Sequence, residues 1–287
     1  MNYLITGATG QLGSEWVRYF KQNQIPFTGY GSAQLDITNR DAVKRIMDED
    51  KPNVVINCAA YTNVDRAEEE QEKAFLVNKT GVKHLAEVCS QFGAFLIHYS
   101  TDYVFPGKIE DRETYPDGYP VDATANPSNQ YGKSKRAGEI VLENSSANWL
   151  LIRVSWLCGA SGRNFVKTML KLSEQRERID VVHDQFGSPS FTFDVVEKSV
   201  QLLQKEVTGI YHISSRGELS WADFAREIFQ LAGKSAEVHN ISSSEFPVAA
   251  KRPYFSLLSN KKLIQAGLEP ANRKKELNQL IQQIQLS

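Results

Sequence analysis

Short apolar runs alternate with amphipathic segments along this chain, and the alternation predicts its elements. "YLITGA" (residues 3–8) reads as a buried strand, and Leu12, Trp16 and Phe20 follow at i, i+4 and i+8, the stripe of a helix. "PFTGYG" predicts a second strand and "DAVKRIMDED" a short helix followed by Pro52. "NVVINCAAY" (53–61) is apolar without alternation, as expected for a strand of a parallel sheet covered on both faces. A helix over 73–92, a strand at "AFLIHYS" (94–100), a loop rich in Pro and Gly, a helix from about Tyr131 to Asn144 and a strand at "WLLIRVSW" (149–156) complete the run.

This rhythm of βαβ units predicts an α/β protein with a Rossmann doubly wound parallel sheet. Beyond about residue 160 the loops grow, although "NFVKTMLKLS", "VVHDQFGSP", "GIYHIS" and "SWADFAREIFQLAG" still alternate. The expectation is a dinucleotide-binding domain over 1–160, with returning segments near 181–215. A smaller, interleaved C-terminal α/β substrate-binding domain takes 161–180 and 216–287. In the last segment Leu277, Leu280, Ile281 and Ile284 form the stripe of a docking helix.

Composition narrows the function classes. A net charge of −1 over 287 residues gives no electrostatic reason to expect nucleic acid or an anionic membrane as partner. Cys58, Cys89 and Cys158 lack CxxC spacing and sit in apolar runs, which predicts buried free thiols in a reducing compartment. No secretory leader and no apolar run of membrane-spanning length is evident, so a cytoplasmic protein is expected.

Gly7, Gly10 and Gly13 stand directly after the first strand. In that context they suit a dinucleotide: a tight turn, close approach of backbone to pyrophosphate, and close helix–strand packing, with the phosphates at the helix N-terminus near Gln11 and Leu12. The second strand ends in Tyr30, Gly31 and Ser32 without the usual acid for the ribose. That leans towards NADP(H), with NAD(H) open. Ala59 and Ala60 end the third strand, where small side chains let a dinucleotide pass close to the backbone. The acids of "VDRAEEE" read as a solvated helix start rather than a metal site, and His98, His183 and His212 as core histidines.

Ser100 and Thr101 close the fourth long strand. Tyr131 and Lys135, spaced i, i+4, share a helix face. A phenol titrates near 10, and a neighbouring ammonium favours its ionised form. With a hydroxyl from Thr101 at a substrate carbonyl, the set can protonate an oxygen as hydride reaches its carbon.

The motifs "GATGQLGSE", "AAYTNVDRAE", "STDYVF", "NPSNQYGKSKRAGE", "SWLCGASGRNF", "DQFGSP" and "KRPYFSLL" run over nearly the whole chain. On them the sequence resembles the dTDP-4-dehydrorhamnose reductase group of extended short-chain dehydrogenases/reductases. The resemblance implies that Tyr131 protonates the C4 oxygen of a 4-keto-6-deoxy sugar. Lys135 would depress the tyrosine's pKa and bind the nicotinamide ribose, and Thr101 would polarise the carbonyl. Gly10, Gln11 and Leu12 would hold the pyrophosphate. Asp36 and Ile37 would lie near the adenine, and Ala59, Ala60 and Tyr61 further along the cofactor. Asp102 and Trp156 would contact the sugar nucleotide, with Asn164, Gln185 and Arg252 as further substrate-side candidates. It also implies a homodimer and a use of Mg²⁺ in assembly, for which no ligand set stands out.

Two departures and one distinction follow. Ser190 stands where threonine is expected. Tyr99 replaces a smaller residue, and either narrows the pocket or fills a gap between helix and sheet. Dehydratases of the superfamily follow the active-site Thr with an Asp-Glu pair, whereas Thr101 is followed by Asp102 and Tyr103. That counts against elimination. A related epimerase and a non-catalytic subunit of the same fold are the competing readings.

Overall fold

In the computed structural model, which describes residues 1–286, six parallel strands form the central sheet. They are β1 (Tyr3–Thr6), β2 (Phe27–Tyr30), β3 (Val54–Asn57), β4 (Phe95–Thr101), β5 (Asn148–Val154) and a last strand, Gly209–His212. Their order across the sheet is Gly209–His212, β5, β4, β3, β1, β2. The direction of winding reverses between β1 and β3, which opens a crevice at the carboxyl ends of those strands.

Both faces of the sheet are covered because consecutive apolar residues point to opposite sides. Ile5, Ile56, Ile97 and Ile152 pack with Trp16 and Phe20 of α1 (Gln11–Gln22) and with Val195 and Leu202 of the helix Thr192–Gln204. Their neighbours Leu4, Val55, Leu96 and Leu151 pack with Val43 and Met47 of α2 (Arg40–Asp50) and Leu85 of the helix Val82–Phe92.

A second core gathers the helices Phe165–Ser173, Trp221–Ala232 and Arg273–Gln285 around a parallel pair of strands, Arg178–Val182 and Glu237–Ile241. Leu277, Leu280 and Ile281 dock the final helix through the stripe visible in the sequence. Between these elements the chain returns to the main sheet through Thr192–Gln204 and Gly209–His212.

Several elements differ from expectation. β3 stops at Asn57, because Asn57 turns its side chain back to accept from the Ala59 amide while the loop beyond meets Gly7. β5 stops at Val154, two residues before Trp156, whose φ of +47° is incompatible with a strand. The helix expected over 73–92 starts at Gln71 and widens into a π-helical stretch over Leu76–Gly81. Gly81 has Ile37 against it there, leaving no room for a side chain. Cys89 and Cys158 are buried, but Cys58 is only partly so, because it lies beyond the last residue of β3, at the open edge of the sheet. His98 and His212 are buried, whereas His183 is exposed, one residue past the end of its strand.

Candidate active site

The cofactor side is built from backbone pressed against backbone. Gly7 has φ +64°, and a Cβ there would stand 2.6 Å from the Ala59 nitrogen. A Cβ at Gly13 would stand 2.1 Å from the Gly7 carbonyl oxygen. Gly10 is the N-cap of α1 and offers no side-chain acceptor to the amides of the first turn. Those amides and the helix dipole form a seat for an anion, and the close packing leaves backbone rather than side chains facing it. The loops after β1 and β3 therefore fit the pyrophosphate and adjoining ribose of a dinucleotide.

Gln11 does more than face this seat. Its amide donates to the Leu157 carbonyl (3.0 Å) and accepts from Asn164 (2.9 Å), tying α1 to the loop that follows β5. Leu12 is buried. Asp36 is exposed, and its carboxylate accepts from the amide and hydroxyl of Thr38. The Ile37 side chain is buried in the core. Ala59 and Ala60 are half-buried beside Gly7. Tyr61 exchanges two backbone hydrogen bonds with the buried side chain of Asn78, and its hydroxyl donates to Glu70 (3.0 Å).

The helix Gln130–Glu143 carries Tyr131 and Lys135. Asn129 caps it by accepting from the Gly132 amide (2.8 Å). Gly132 and Gly138 let it lie directly on the carbonyls of Tyr103 and Asn78, since a Cβ would come within 2.2 and 2.1 Å of them. Tyr131 meets the ring of Tyr103 edge-on, with centroids 5.6 Å apart. Its phenol lies close to the Thr101 hydroxyl at the end of β4. The Thr101 hydroxyl in turn donates to Asp102 (2.9 Å), whose other carboxylate oxygen is buried without a partner. The Ser100 hydroxyl is likewise buried and unpartnered.

Burial dominates the titration of this cluster. It raises the Tyr131 phenol well above its usual value, with the nearby Thr101 hydroxyl opposing and the Asp102 charge adding. The Lys135 ammonium, one helical turn on, donates to the Tyr99 carbonyl at 2.6 Å. Burial also lowers Lys135 to about 8, against the pull of Glu139 and Cys58. Asp102 is pushed up to about 7 by burial, despite the hydrogen bond from Thr101 and the nearby Ser256 hydroxyl. The side chain of Tyr99 points elsewhere, accepting from Trp16 (3.0 Å) and bonding Ser199 (2.8 Å). It fills the gap between sheet and helices rather than narrowing a pocket.

Beside Tyr131 a cleft of about 780 Å³ is lined by Tyr103, Asp65, Gln185, Arg252, Phe165 and Trp221, among others. Trp156 stacks on Trp221 with ring centroids 3.5 Å apart and planes 13° from parallel. Gly187 leaves the space for this, a Cβ there lying 2.9 Å from the Trp156 ring. Asn164 sits apart from the cleft: it caps the helix Phe165–Ser173 and bonds Gly159 and Gln11. Arg252 donates to Asp65 (2.5 Å). No group of three or more His, Cys, Asp or Glu among the described residues is placed to hold a metal ion.

A glycine seat for a dinucleotide, a Thr–Tyr–Lys set beside it and an adjoining cleft together describe a reductase site. The family model described as the RmlD substrate binding domain matches residues 1–286. The chain belongs to that family. It is 36% identical over 280 residues to the spore coat polysaccharide biosynthesis protein SpsK of Bacillus subtilis, covering 98% of this chain and 96% of SpsK. It is 39% identical over 292 residues to the dTDP-4-dehydrorhamnose reductase of Aggregatibacter actinomycetemcomitans, covering 96% and 97%. Among solved structures, the dTDP-4-dehydrorhamnose reductase of Bacillus anthracis in complex with NADP superposes with a TM-score of 0.92 at 36% identity, over 97% of this chain and 98% of that one. The Clostridium acetobutylicum dTDP-4-dehydrorhamnose reductase gives 0.94 at 38% identity, over 99% and 100%.

Within this RmlD-type frame, three site residues escaped the sequence reading. Tyr103 was visible there only as a missing carboxylate, yet it touches Tyr131 and lines the cleft. Trp221 sits at the start of an amphipathic helix and reads as core from its pattern. Asp65 is one acid in a charged run, and nothing local separates it from Glu68, Glu69 and Glu70.

Proposed function

We propose that this chain reduces the C4 ketone of dTDP-4-dehydro-L-rhamnose to dTDP-L-rhamnose, using NADPH. The observation that carries the reading is the Tyr131 phenol, close to the Thr101 hydroxyl at the end of β4 and one helical turn from buried Lys135, beside the glycine seat. A bound nicotinamide supplies hydride to the ketone carbon. Tyr131 gives its proton to the ketone oxygen, so an alcohol and a tyrosinate result. The Lys135 ammonium stabilises that tyrosinate from the helix it shares. Thr101 orients the carbonyl, and Asp102, Trp156, Gln185 and Arg252 belong to the sugar-nucleotide side. Gly7, Gly10, Gly13, Ala59 and Ala60 line the cofactor. Asn164, the cap of the helix Phe165–Ser173, links that helix to Gln11.

Tyr103 occupies the place where elimination would require a carboxylate, which favours simple reduction over dehydration. Tyr30, Gly31 and Ser32 at the end of β2 offer no carboxylate to repel a 2′-phosphate, which favours NADPH over NADH. The same reading assigns 1–160 and 181–215 to cofactor binding, 161–180 and 216–287 to substrate binding, and a cytoplasmic homodimer to the working enzyme. The test is NADPH consumption on adding dTDP-4-dehydro-L-rhamnose. Folded protein that oxidises neither NADPH nor NADH with this substrate sinks the assignment.

A further inference from the structure

We propose that Asp65 is a positioning residue, which seats Arg252 at the cleft so that its guanidinium grips the diphosphate of the nucleotide sugar. The inference rests on the nucleotide-sugar reading above and adds a residue to it.

Asp65 and Arg252 are 187 residues apart and belong to different parts of the molecule. Asp65 follows the cofactor loop after β3, and Arg252 lies in the strap that leads back from the substrate side. Both oxygens of the Asp65 carboxylate are spent on that strap. One accepts from the Ala250 amide (3.1 Å) and the other from Arg252 Nη2 (2.5 Å). Asn129 donates to the carbonyl of the residue between them, Lys251 (2.8 Å). Three consecutive strap residues are thus fastened from the cofactor side.

The fastening reaches the chemistry. Asn129 is also the N-cap of the helix that bears Tyr131, and Glu68, three residues from Asp65, accepts from the Gln130 amide (2.9 Å). Asp65, Arg252 and Tyr103 line the same cleft, and Tyr103 packs on Tyr131.

One part of the arrangement is unfinished. Arg252 Nη1 is buried and has no hydrogen-bond acceptor, while Nη2 is held by Asp65. A buried guanidinium donor left unpaired is costly, and phosphate oxygens are its best-matched acceptors. A simple surface ion pair would need neither the second bond to the strap backbone nor a buried free donor. Asp65 fixes the fork by one nitrogen and leaves the other for the ligand.

The experiment measures binding of dTDP and of NADPH by calorimetry, together with kcat and KM for the nucleotide sugar. It compares wild type, Asp65→Ala, Arg252→Ala and the double variant. Asp65→Ala is expected to weaken dTDP binding and raise KM by about 10-fold or more, with kcat and NADPH affinity held within about 2-fold. The double variant should bind dTDP no more weakly than Arg252→Ala, because Asp65 acts through Arg252. Asp65→Asn keeps an acceptor for the strap without the charge and should fall between; it carries the test if Asp65→Ala does not fold. Unchanged dTDP affinity in the Asp65 variants, or losses that add in the double variant, overturns the proposal. Wild type that fails to bind dTDP overturns the nucleotide-sugar reading as well.

Discussion

Lys135 donates its ammonium to the backbone carbonyl of Tyr99 at 2.6 Å, so the lysine below Tyr131 is anchored to the strand that ends in Thr101. Helix and strand are thereby registered at the point where phenol and hydroxyl must meet. Burying the charge has a cost that depends on pH. Lys135 falls from 10.5 to about 8, so the native state binds fewer protons than the unfolded chain between those values. Its contribution to stability therefore rises with pH across that window.

Lys135→Met should separate stability from function. We expect kcat to fall by about 10²- to 10³-fold, because the tyrosinate loses its counter-charge. The midpoint of thermal unfolding at pH 7 should not fall, since the buried cation is gone. Calorimetry and steady-state kinetics on one preparation check both.

Asp102 titrates with the opposite consequence. Burial raises it from 3.8 to about 7, so the native state holds a proton that the unfolded chain releases between those values. Stability from this group is full below about 4 and is lost as pH rises towards 7. Asp102→Asn should flatten that slope and be more stable than wild type at pH 8 by roughly 1–4 kcal/mol. Urea unfolding at pH 5 and pH 8 measures the difference.

Tyr99, larger than the resemblance leads one to expect, has a structural role that makes no reference to the substrate. Its hydroxyl joins Trp16 of α1 to Ser199 of the helix Thr192–Gln204. Tyr99→Phe leaves the buried Trp16 donor without an acceptor and should cost about 1–3 kcal/mol. KM for the sugar nucleotide should stay within about 2-fold. A change in KM without a change in unfolding midpoint would return Tyr99 to the pocket.

Gly13 tests the cofactor seat. A methyl group there collides with the Gly7 carbonyl at 2.1 Å, and backbone atoms cannot swing aside. Gly13→Ala should abolish measurable NADPH binding or prevent folding. Unaltered NADPH affinity would show that the loop is not the seat.

How much of this could be read from the chain depends on range. The glycine spacing, the Tyr131–Lys135 turn and the stripe of Leu277, Leu280 and Ile281 are set by local periodicity, and the structure places them as the pattern predicts. The strand expected over 53–61 ends at Asn57, because the close approach of Gly7 to the Ala59 backbone is a contact across some fifty residues. The lysine's partner is a carbonyl, which has no letter in the sequence. Trp156 read as a strand end, and its left-handed backbone answers to Trp221 and Gly187, both distant in the chain. The pairs Gln11–Asn164 and Asp65–Arg252 span more than a hundred residues each, and only the fold brings them together.

The central claim is that Tyr131 delivers the proton as hydride reaches the ketone. Tyr131→Phe removes the phenolic oxygen and little else, since the ring keeps its place against Tyr103. The direct measurement is NADPH oxidation by this variant with dTDP-4-dehydro-L-rhamnose, beside its NADPH affinity. The account predicts NADPH affinity within about 2-fold of wild type and kcat lower by at least about 10²-fold. Turnover near the wild-type rate would contradict it.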